Sequence, residues 1–513
     1  MASTMAPTAD ATTVTELLSR GATDATAIAA PDRAPLDFGG LNRLVDNTVA
    51  AFNAAGIGRN DRVGIVLPNG PEMATAFIAV AAGATAAPLN PAYRADEFEF
   101  YLSDLGAKAL ILQVGDDTPA RAAADKLGIP IVALTPQMDE PAGTFELAID
   151  GGAPATNGGK AQDSDIALVL HTSGTTSRPK IVPLSHRNVC ASARNISGWL
   201  ELEPKDHCLN IMPLFHIHGL IAAVLSSLYG GASVSCTPGF NALRFFKWMD
   251  AEKPTWYTAV PTMHQAILTR ASRNTDVIER NPLRLIRSSS SSLPAPVMEE
   301  LEKTFSAPII ESYGMTEAAH QMASNPLPPR DQKPGYVGIA AGPEVGIMSL
   351  DGNILKAGDL GEIVIRGENV TDGYENNPDA NAGAFTNGWF RTGDQGIIDD
   401  EGYLRLTGRL KEIINRGGEK VSPREVDDVL MQHPAVAQAV AFAVKHDKLG
   451  EDVAAAIVLR EGEELTDKEL REFAAKQLAD FKVPRKVLFL EEIPKGATGK
   501  LQRIGLAEKL GLE

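Results

Sequence analysis

Between Arg62 and about Gly314, short apolar runs rich in β-branched residues recur at 63–67, 109–114, 131–134, 166–170, 255–260, 283–287 and 309–312. Longer stretches with helical spacing separate them. Runs this short and this continuously apolar fit strands covered on both faces. The helices between them make the connections crossovers, so doubly wound, largely parallel sheets are predicted. Gly, Pro, Ser or Asn closely follows each run, which gathers polar loops at the strand ends, where open sheets bind ligands. From Val337 to Leu406 the pattern changes to glycine-punctuated strands without long helices, as in Gly361-Glu362-Ile363-Val364-Ile365-Arg366, and predicts a β-rich subdomain. After Gly408-Arg409 the alternation returns on a smaller scale, with helices expected near 423–432 and over 467–481 and strands at 439–444 and 454–459. The expected fold class is α/β: a large N-terminal domain of doubly wound α/β subdomains plus a β-rich subdomain, residues 1–409, then a smaller, mobile α+β C-terminal domain, residues 410–513. The boundary falls at Arg409 to Lys411.

A chain of 513 residues exceeds what one hydrophobic core usually supports, in keeping with that division. Its 44% hydrophobic and 22% charged residues are ordinary for a globular protein. The net charge of −17 argues against nucleic acid or an anionic membrane as partner, so an anionic ligand requires a local cationic site. Cys190, Cys208 and Cys236 are too far apart for a CxxC pair and read as reduced core residues of an intracellular protein. The first fourteen residues lack the basic start and apolar run of a secretory signal and read as a frayed tail. Residues 73–89, alanine-rich and interrupted by Gly83 and Pro88, read as a buried helix followed by a strand rather than a membrane span. Gly511-Leu512-Glu513 carries no peroxisomal tripeptide, leaving the cytoplasm as the expected compartment. Small molecules are the expected partners, and monomer and homodimer both stay open.

The candidate chemistry begins where the 166–170 run breaks into His171-Thr172-Ser173-Gly174-Thr175-Thr176-Ser177-Arg178-Pro179-Lys180. Backbone N–H groups at a turn, several hydroxyls and one ammonium form a cradle for polyphosphate. It is not a Walker loop, since Pro179 precedes the lysine and Ile181 follows it. A polar surface turn is the alternative. Further along, Tyr313-Gly314-Met315-Thr316-Glu317 sets an aromatic face, a hydroxyl and a carboxylate at a strand end. Asp394, in a Thr-Gly-Asp turn, can accept hydrogen bonds from vicinal hydroxyls.

Together with Pro213-Leu214-Phe215-His216, Phe390-Arg391-Thr392-Gly393-Asp394, Gly408-Arg409, Pro494-Lys495 and Gly499-Lys500, these segments resemble, in order and across nearly the whole chain, the acyl-adenylate-forming (AMP-binding) superfamily. That superfamily includes acyl-CoA synthetases, luciferases and peptide-synthetase adenylation domains. The resemblance implies ATP, Mg²⁺ and coenzyme A as cofactors or cosubstrates. It implies that Thr172, Ser173, Gly174, Thr175, Thr176 and Lys180 hold phosphates, that Tyr313, beside Gly314, stacks on adenine, and that Thr316 contacts the α-phosphate. Glu317 is implied to help hold Mg²⁺, Asp394 to bind ribose, and Arg409 to contact ribose and phosphate. Lys500 is implied to be the adenylation lysine, neutralising charge between the entering carboxylate and the α-phosphate. Lys411 is implied to be the hinge about which the small domain turns between half-reactions, exchanging the Lys500 loop for residues 415–420. A buried tyrosine with a helix cap at 313–317, a structural salt bridge at Arg409 and a solvated Lys500 are the structural alternatives.

Within the superfamily the chain looks most like the oxalate-CoA ligase group, itself close to 4-coumarate-CoA ligases, through Phe215-His216-Ile217-His218-Gly219, Trp256-Tyr257-Thr258-Ala259-Val260-Pro261-Thr262, Arg287-Ser288-Ser289-Ser290-Ser291-Ser292-Leu293 and Glu317-Ala318-Ala319-His320. A small dianion needs donors where a fatty or aryl acid needs an apolar tunnel, and histidine and serine supply them. The resemblance implies His216, Ser290 and His320 beside the acyl group, with His216 also orienting it during thiol attack and His320 flooring the pocket one helical turn after Glu317. His218 reads equally as a satisfied core histidine, and 288–292 as a flexible serine loop. Ile181 departs from the superfamily's usual glycine, and a positive φ there would strain it. Three alternatives follow: a CoA ligase for another small or aromatic acid such as malonate or 4-coumarate, an impaired nucleotide-binding relative marked by Ile181, and an acyl-AMP-forming enzyme that uses no CoA.

Overall fold

The structure, a computed structural model, describes residues 10–172, 179–494, 501 and 503–512. Two large sheets, joined at their loops, make the body of the chain. The first orders its strands Phe145–Ala148, Ile131–Pro136, Ala109–Gln113, Arg62–Val66, Thr85–Pro88, Ile166–Thr172 and Lys180–Ser185. Its inner strands pair in parallel, as their unbroken apolar runs predict, and each edge is closed by an antiparallel partner. The second sheet runs in parallel from Ser233–Cys236 through His207–Asn210, Trp256–Ala259 and Leu285–Ser288 to Ile309–Met315, then turns antiparallel at His320–Ser324. The helix Pro71–Ala81 is buried at every position but Glu72 and packs on strands of both sheets. Its sequence is accordingly apolar all round rather than on one stripe.

The 337–406 region forms an antiparallel sheet of Glu344–Met348, Gly361–Arg366, Trp389–Ile398, Phe385–Thr386 and Leu404–Arg409. Along Trp389–Ile398 alternate residues are buried, which turns Phe390, Thr392 and Asp394 inward. A fourth sheet, Glu419–Val421, Ile414–Arg416, Gly450–Leu459, Val436–His446 and Lys486–Phe489, packs on the helices Pro423–Leu430 and Asp467–Ala474 around a separate apolar core. The architecture is thus mixed α/β, with a large N-terminal part and a smaller C-terminal one.

Two local expectations need correction. The helix expected over 467–481 starts as predicted, with Thr466 and Glu469 forming a capping box, but ends at Ala474. Beyond it, i to i+3 bonds from Lys476 to Phe473 and from Gln477 to Ala474 tighten the chain and bury Leu478. Strain at Ile181 is the other. Ile181 lies in an extended strand paired with His171, has no positive φ, and is 5% exposed in the core beside Val169 and Leu89. No glycine is required there, and the reading of an impaired relative loses its motive. The same strand carries Pro183, which an edge position tolerates because no neighbouring strand needs its missing N–H. Among the described residues all three cysteines are free and buried, and no helix is long and apolar enough to cross a membrane.

Candidate active site

The C-terminal ends of the parallel strands, the inward face of the antiparallel sheet and the first helix of the C-terminal part enclose a cavity of about 640 Å³. Thr172, Lys180, Ser290, Tyr313, Gly314, Thr316, Glu317, Asp394, Arg409 and Lys411 all line it. Ser173, Gly174, Thr175, Thr176 and Lys500 lie outside the described residues, although Leu501 is on the cavity wall. His216 and His320 are not among its lining residues.

At one end, the pairing of Trp389–Ile398 with Leu404–Arg409 sets Asp394 opposite Arg409, whose Nε donates to Asp394 Oδ1 at 2.9 Å. Tyr313 Oη donates to the other carboxylate oxygen at 2.6 Å. Residues far apart in sequence thus meet as an aromatic ring, a carboxylate and a guanidinium. Each Asp394 oxygen has a second lone pair for a further hydroxyl. The Asp394 charge holds Arg409 well above its ordinary range, so the guanidinium is permanently charged. Gly314 permits the approach behind them: a Cβ there would lie 1.8 Å from the His320 carbonyl oxygen.

At the other end, Lys180 Nζ sits 4.2 Å from the centre of the Tyr374 ring, and Tyr374 Oη donates to Glu317 Oε1 at 2.8 Å. Burial raises the Glu317 carboxyl, with the Tyr374 hydrogen bond and Lys180 opposing. Burial, and then the neighbouring charge of Lys411, lowers Lys180. Among the described residues neither lysine has a carboxylate within 4.0 Å, so two cations face the cavity without a protein counter-ion. That is the local cationic site an acidic protein needs for polyphosphate. A divalent ion shared with phosphates takes one or two protein carboxylates, and the lone Glu317 fits that donor set. No group of three or more His, Cys, Asp or Glu side chains able to hold a metal occurs among the described residues.

Behind Ser290 lies a polar layer that sequence reasoning did not assemble. Arg287, fully buried, donates from Nη1 to His218 Nε2 and from Nη2 to His320 Nδ1, each at 3.4 Å, and to Gln321 Oε1 at 3.3 Å. Burial pushes its guanidinium down to about 9, so it is charged at neutral pH, yet no carboxylate among the described residues pairs with it and its Nε has no partner. Arginine only donates. His218 Nε2 lies closer still to Thr258 Oγ1, at 2.6 Å, so the Arg287 contacts are the longer ones in this layer. On its other side His218 Nδ1 shares a hydrogen bond with Ser290 Oγ at 3.0 Å, which ties the layer to the cavity wall. His218 and His320 also meet edge to face, centroids 5.0 Å apart. His320 begins a strand after the 3-10 turn Thr316–Ala318 rather than sitting one helical turn beyond Glu317. His216 is half-buried, and its Nδ1 accepts from the His218 backbone N–H at 3.2 Å.

The loop carrying Ser290 is held from below by Glu311, whose Oε1 accepts from the Leu293 N–H at 2.9 Å while Oε2 has no partner among the described residues. Burial raises this carboxyl from 4.5 to about 7, against the Leu293 bond and Arg424. Between those values the native state binds more protons than the unfolded chain, so stability falls as pH rises through the window, by roughly 3 kcal/mol in all. Glu311→Gln removes that titration. The melting temperature of the variant relative to wild type is expected to climb between about pH 4.5 and 7 and then level off. A difference that stays flat across that range in thermal melts would contradict the assignment.

The comparisons with known proteins follow this geometry. Residues 18–375 match the family described as AMP-binding enzyme, and residues 425–500 its C-terminal domain. The chain is 47% identical to a probable CoA ligase, CCL9, of Humulus lupulus, over 97% of this chain and 96% of that one. It is 45% identical to an oxalate–CoA ligase of Arabidopsis thaliana, over 92% of this chain and 95% of that protein. The crystal structure of ATP-bound MatB from Rhodopseudomonas palustris superposes with a TM-score of 0.86 at 28% identity, covering 97% of this chain and 98% of that one.

Proposed function

The chain belongs to the AMP-binding enzyme family, and on that premise we propose that it joins oxalate to coenzyme A in two steps. In the first, an oxalate carboxylate oxygen attacks the α-phosphorus of ATP, the bond to the bridging oxygen breaks and pyrophosphate leaves with that electron pair. In the second, the CoA sulfur attacks the acyl carbon of oxalyl-adenylate and AMP departs, the thiol proton passing to solvent. Neither step needs a protein nucleophile, so the protein's contribution is positioning and charge neutralisation.

On this reading Tyr313 and Asp394, braced by Arg409, take adenine and ribose; Thr172, the loop through Thr176, and Lys180 take the phosphates; and Thr316 takes the α-phosphate. Glu317 would hold Mg²⁺, which, when bound, supplies neutralisation of charge on phosphate oxygens. The division at 409/410, the hinge at Lys411 and the role of Lys500 belong to the same proposal, as does a cytoplasmic, reducing setting for the buried thiols.

The observation that carries the choice of acid is Arg287. A buried cation with no carboxylate partner among the described residues, in contact with His218, which in turn meets a hydroxyl on the cavity wall, has the charge and the donors to receive a second carboxylate. An aryl or fatty acid would leave that layer unanswered. Pyrophosphate release is expected to be faster with oxalate than with malonate, 4-coumarate or octanoate, and AMP formation to consume free CoA thiol one for one. Preference for 4-coumarate or octanoate, or AMP formed without thiol loss, would overturn the assignment.

A further inference from the structure

Ser290 is held at φ 75°, in the left-handed region that a residue with a side chain adopts only under constraint from its surroundings. Three contacts provide the constraint. Ser289 Oγ donates to the Ser312 carbonyl at 2.9 Å, and the Leu293 N–H donates to Glu311 at 2.9 Å, both partners belonging to the strand Ile309–Met315. The third comes from the other side of the cavity. Arg424, in the first turn of the helix Pro423–Leu430, donates from Nη2 to Ser292 Oγ at 2.7 Å. Its side chain is only 13% exposed, it lies 4.0 Å from the Asp428 carboxylate and close enough to Glu311 for its charge to act there, and Arg424 and Asp428 both line the cavity with Ser290 and Ser292. One short loop thus has its strained residue hydrogen-bonded to the acyl-pocket histidine and its far end tied to the C-terminal part.

We infer that Arg424 is a positioning residue for acid recognition: by holding Ser292 it keeps Ser290 aligned on the acid, so that the pocket is fully formed only while the C-terminal part covers the cavity. The inference rests on the proposed acyl site. It predicts that the arginine, which belongs to neither the nucleotide nor the acyl layer, governs affinity for the acid and not for ATP.

The test is steady-state pyrophosphate release with oxalate and ATP varied separately. Arg424→Gln and Ser292→Ala are each expected to raise the oxalate KM about tenfold and to leave the ATP KM within about twofold, the scale of one lost charge-assisted hydrogen bond. The double variant should be no worse than either single one, since both break the same contact, and Arg424→Lys should recover part of the loss. Ser292→Ala removes a single hydroxyl and keeps the experiment readable if Arg424→Gln folds poorly. Parallel rises in both KM values, additive losses in the double variant, or an unchanged oxalate KM would overturn the inference. Ser290→Ala separates this from failure of the site itself: if it leaves the oxalate KM unchanged, the acyl-site reading falls. If it raises that KM while Arg424→Gln does not, only the role of Arg424 falls.

Discussion

Arg287→Met is expected to make the protein more stable and nearly inactive on oxalate at once. Methionine approximates the length of the arginine stem but brings no charge. Replacing a buried ion by an apolar residue of similar volume is commonly neutral or stabilising by about 1–4 kcal/mol, and here the ion has no carboxylate partner among the described residues, so the stabilising end applies. The variant should melt a few degrees higher at pH 7. Losing the charge opposite a buried carboxylate costs about 2–5 kcal/mol of binding, so kcat/KM for oxalate should fall by roughly two to three orders of magnitude while the ATP KM is kept. Melting curves and initial rates on one preparation decide it. A variant that melts lower and still prefers oxalate would show that Arg287 is a structural cation after all.

That residue also marks the limit of what the chain reveals before folding. The 283–287 run predicts a strand, and the strand Leu285–Ser288 forms, yet its period of two puts Arg287 on the same fully buried face as Leu285. An arginine inside an inner parallel strand was the available signal, because charged residues are rarely buried without a partner. What the run could not carry was the partner set, since His218 and His320 come from a π-helical turn and a strand far along the chain. The end proposed to take adenine and ribose was more legible. Tyr313, Asp394 and Arg409 each stand in a local motif, and the fold brings those motifs to hydrogen-bond distance. Tyr374, which carries Lys180 on its ring and Glu317 on its hydroxyl, stands in no motif; one tyrosine in a loop has no periodicity to betray it. Ile181 shows the converse. Its departure from a usual glycine drew attention, but whether glycine is needed depends on φ, and the register with His171 makes the position an ordinary extended one.

Lys500→Ala is expected to remove the first step and spare the second. On the proposed reading, the entering carboxylate and the α-phosphate are both anionic, and the Lys180 ammonium, drawn over the Tyr374 ring beside Glu317, is committed to the phosphate end. A further cation is required between the two reacting groups. Leu501, next in sequence to Lys500, lines the cavity together with Arg503, whereas Arg416 and Lys420, in the hairpin Ile414–Arg416 and Glu419–Val421, are absent from its wall. On the proposed reading this arrangement suits adenylation, and the 415–420 segment would reach the cavity for thioester formation only after a rotation about Lys411. Removing one preorganised charge from a developing transition state typically costs a factor of about 10²–10³. Pyrophosphate release from oxalate and ATP should drop by at least that much in Lys500→Ala, and CoA thioester formation from supplied acyl-adenylate should stay within a few-fold of wild type. Single-turnover assays of the two half-reactions separate the outcomes. Equal loss in both would mean that the lysine supports the folded C-terminal part rather than the chemistry, and the assignment of one step to one face of that part would fall with it.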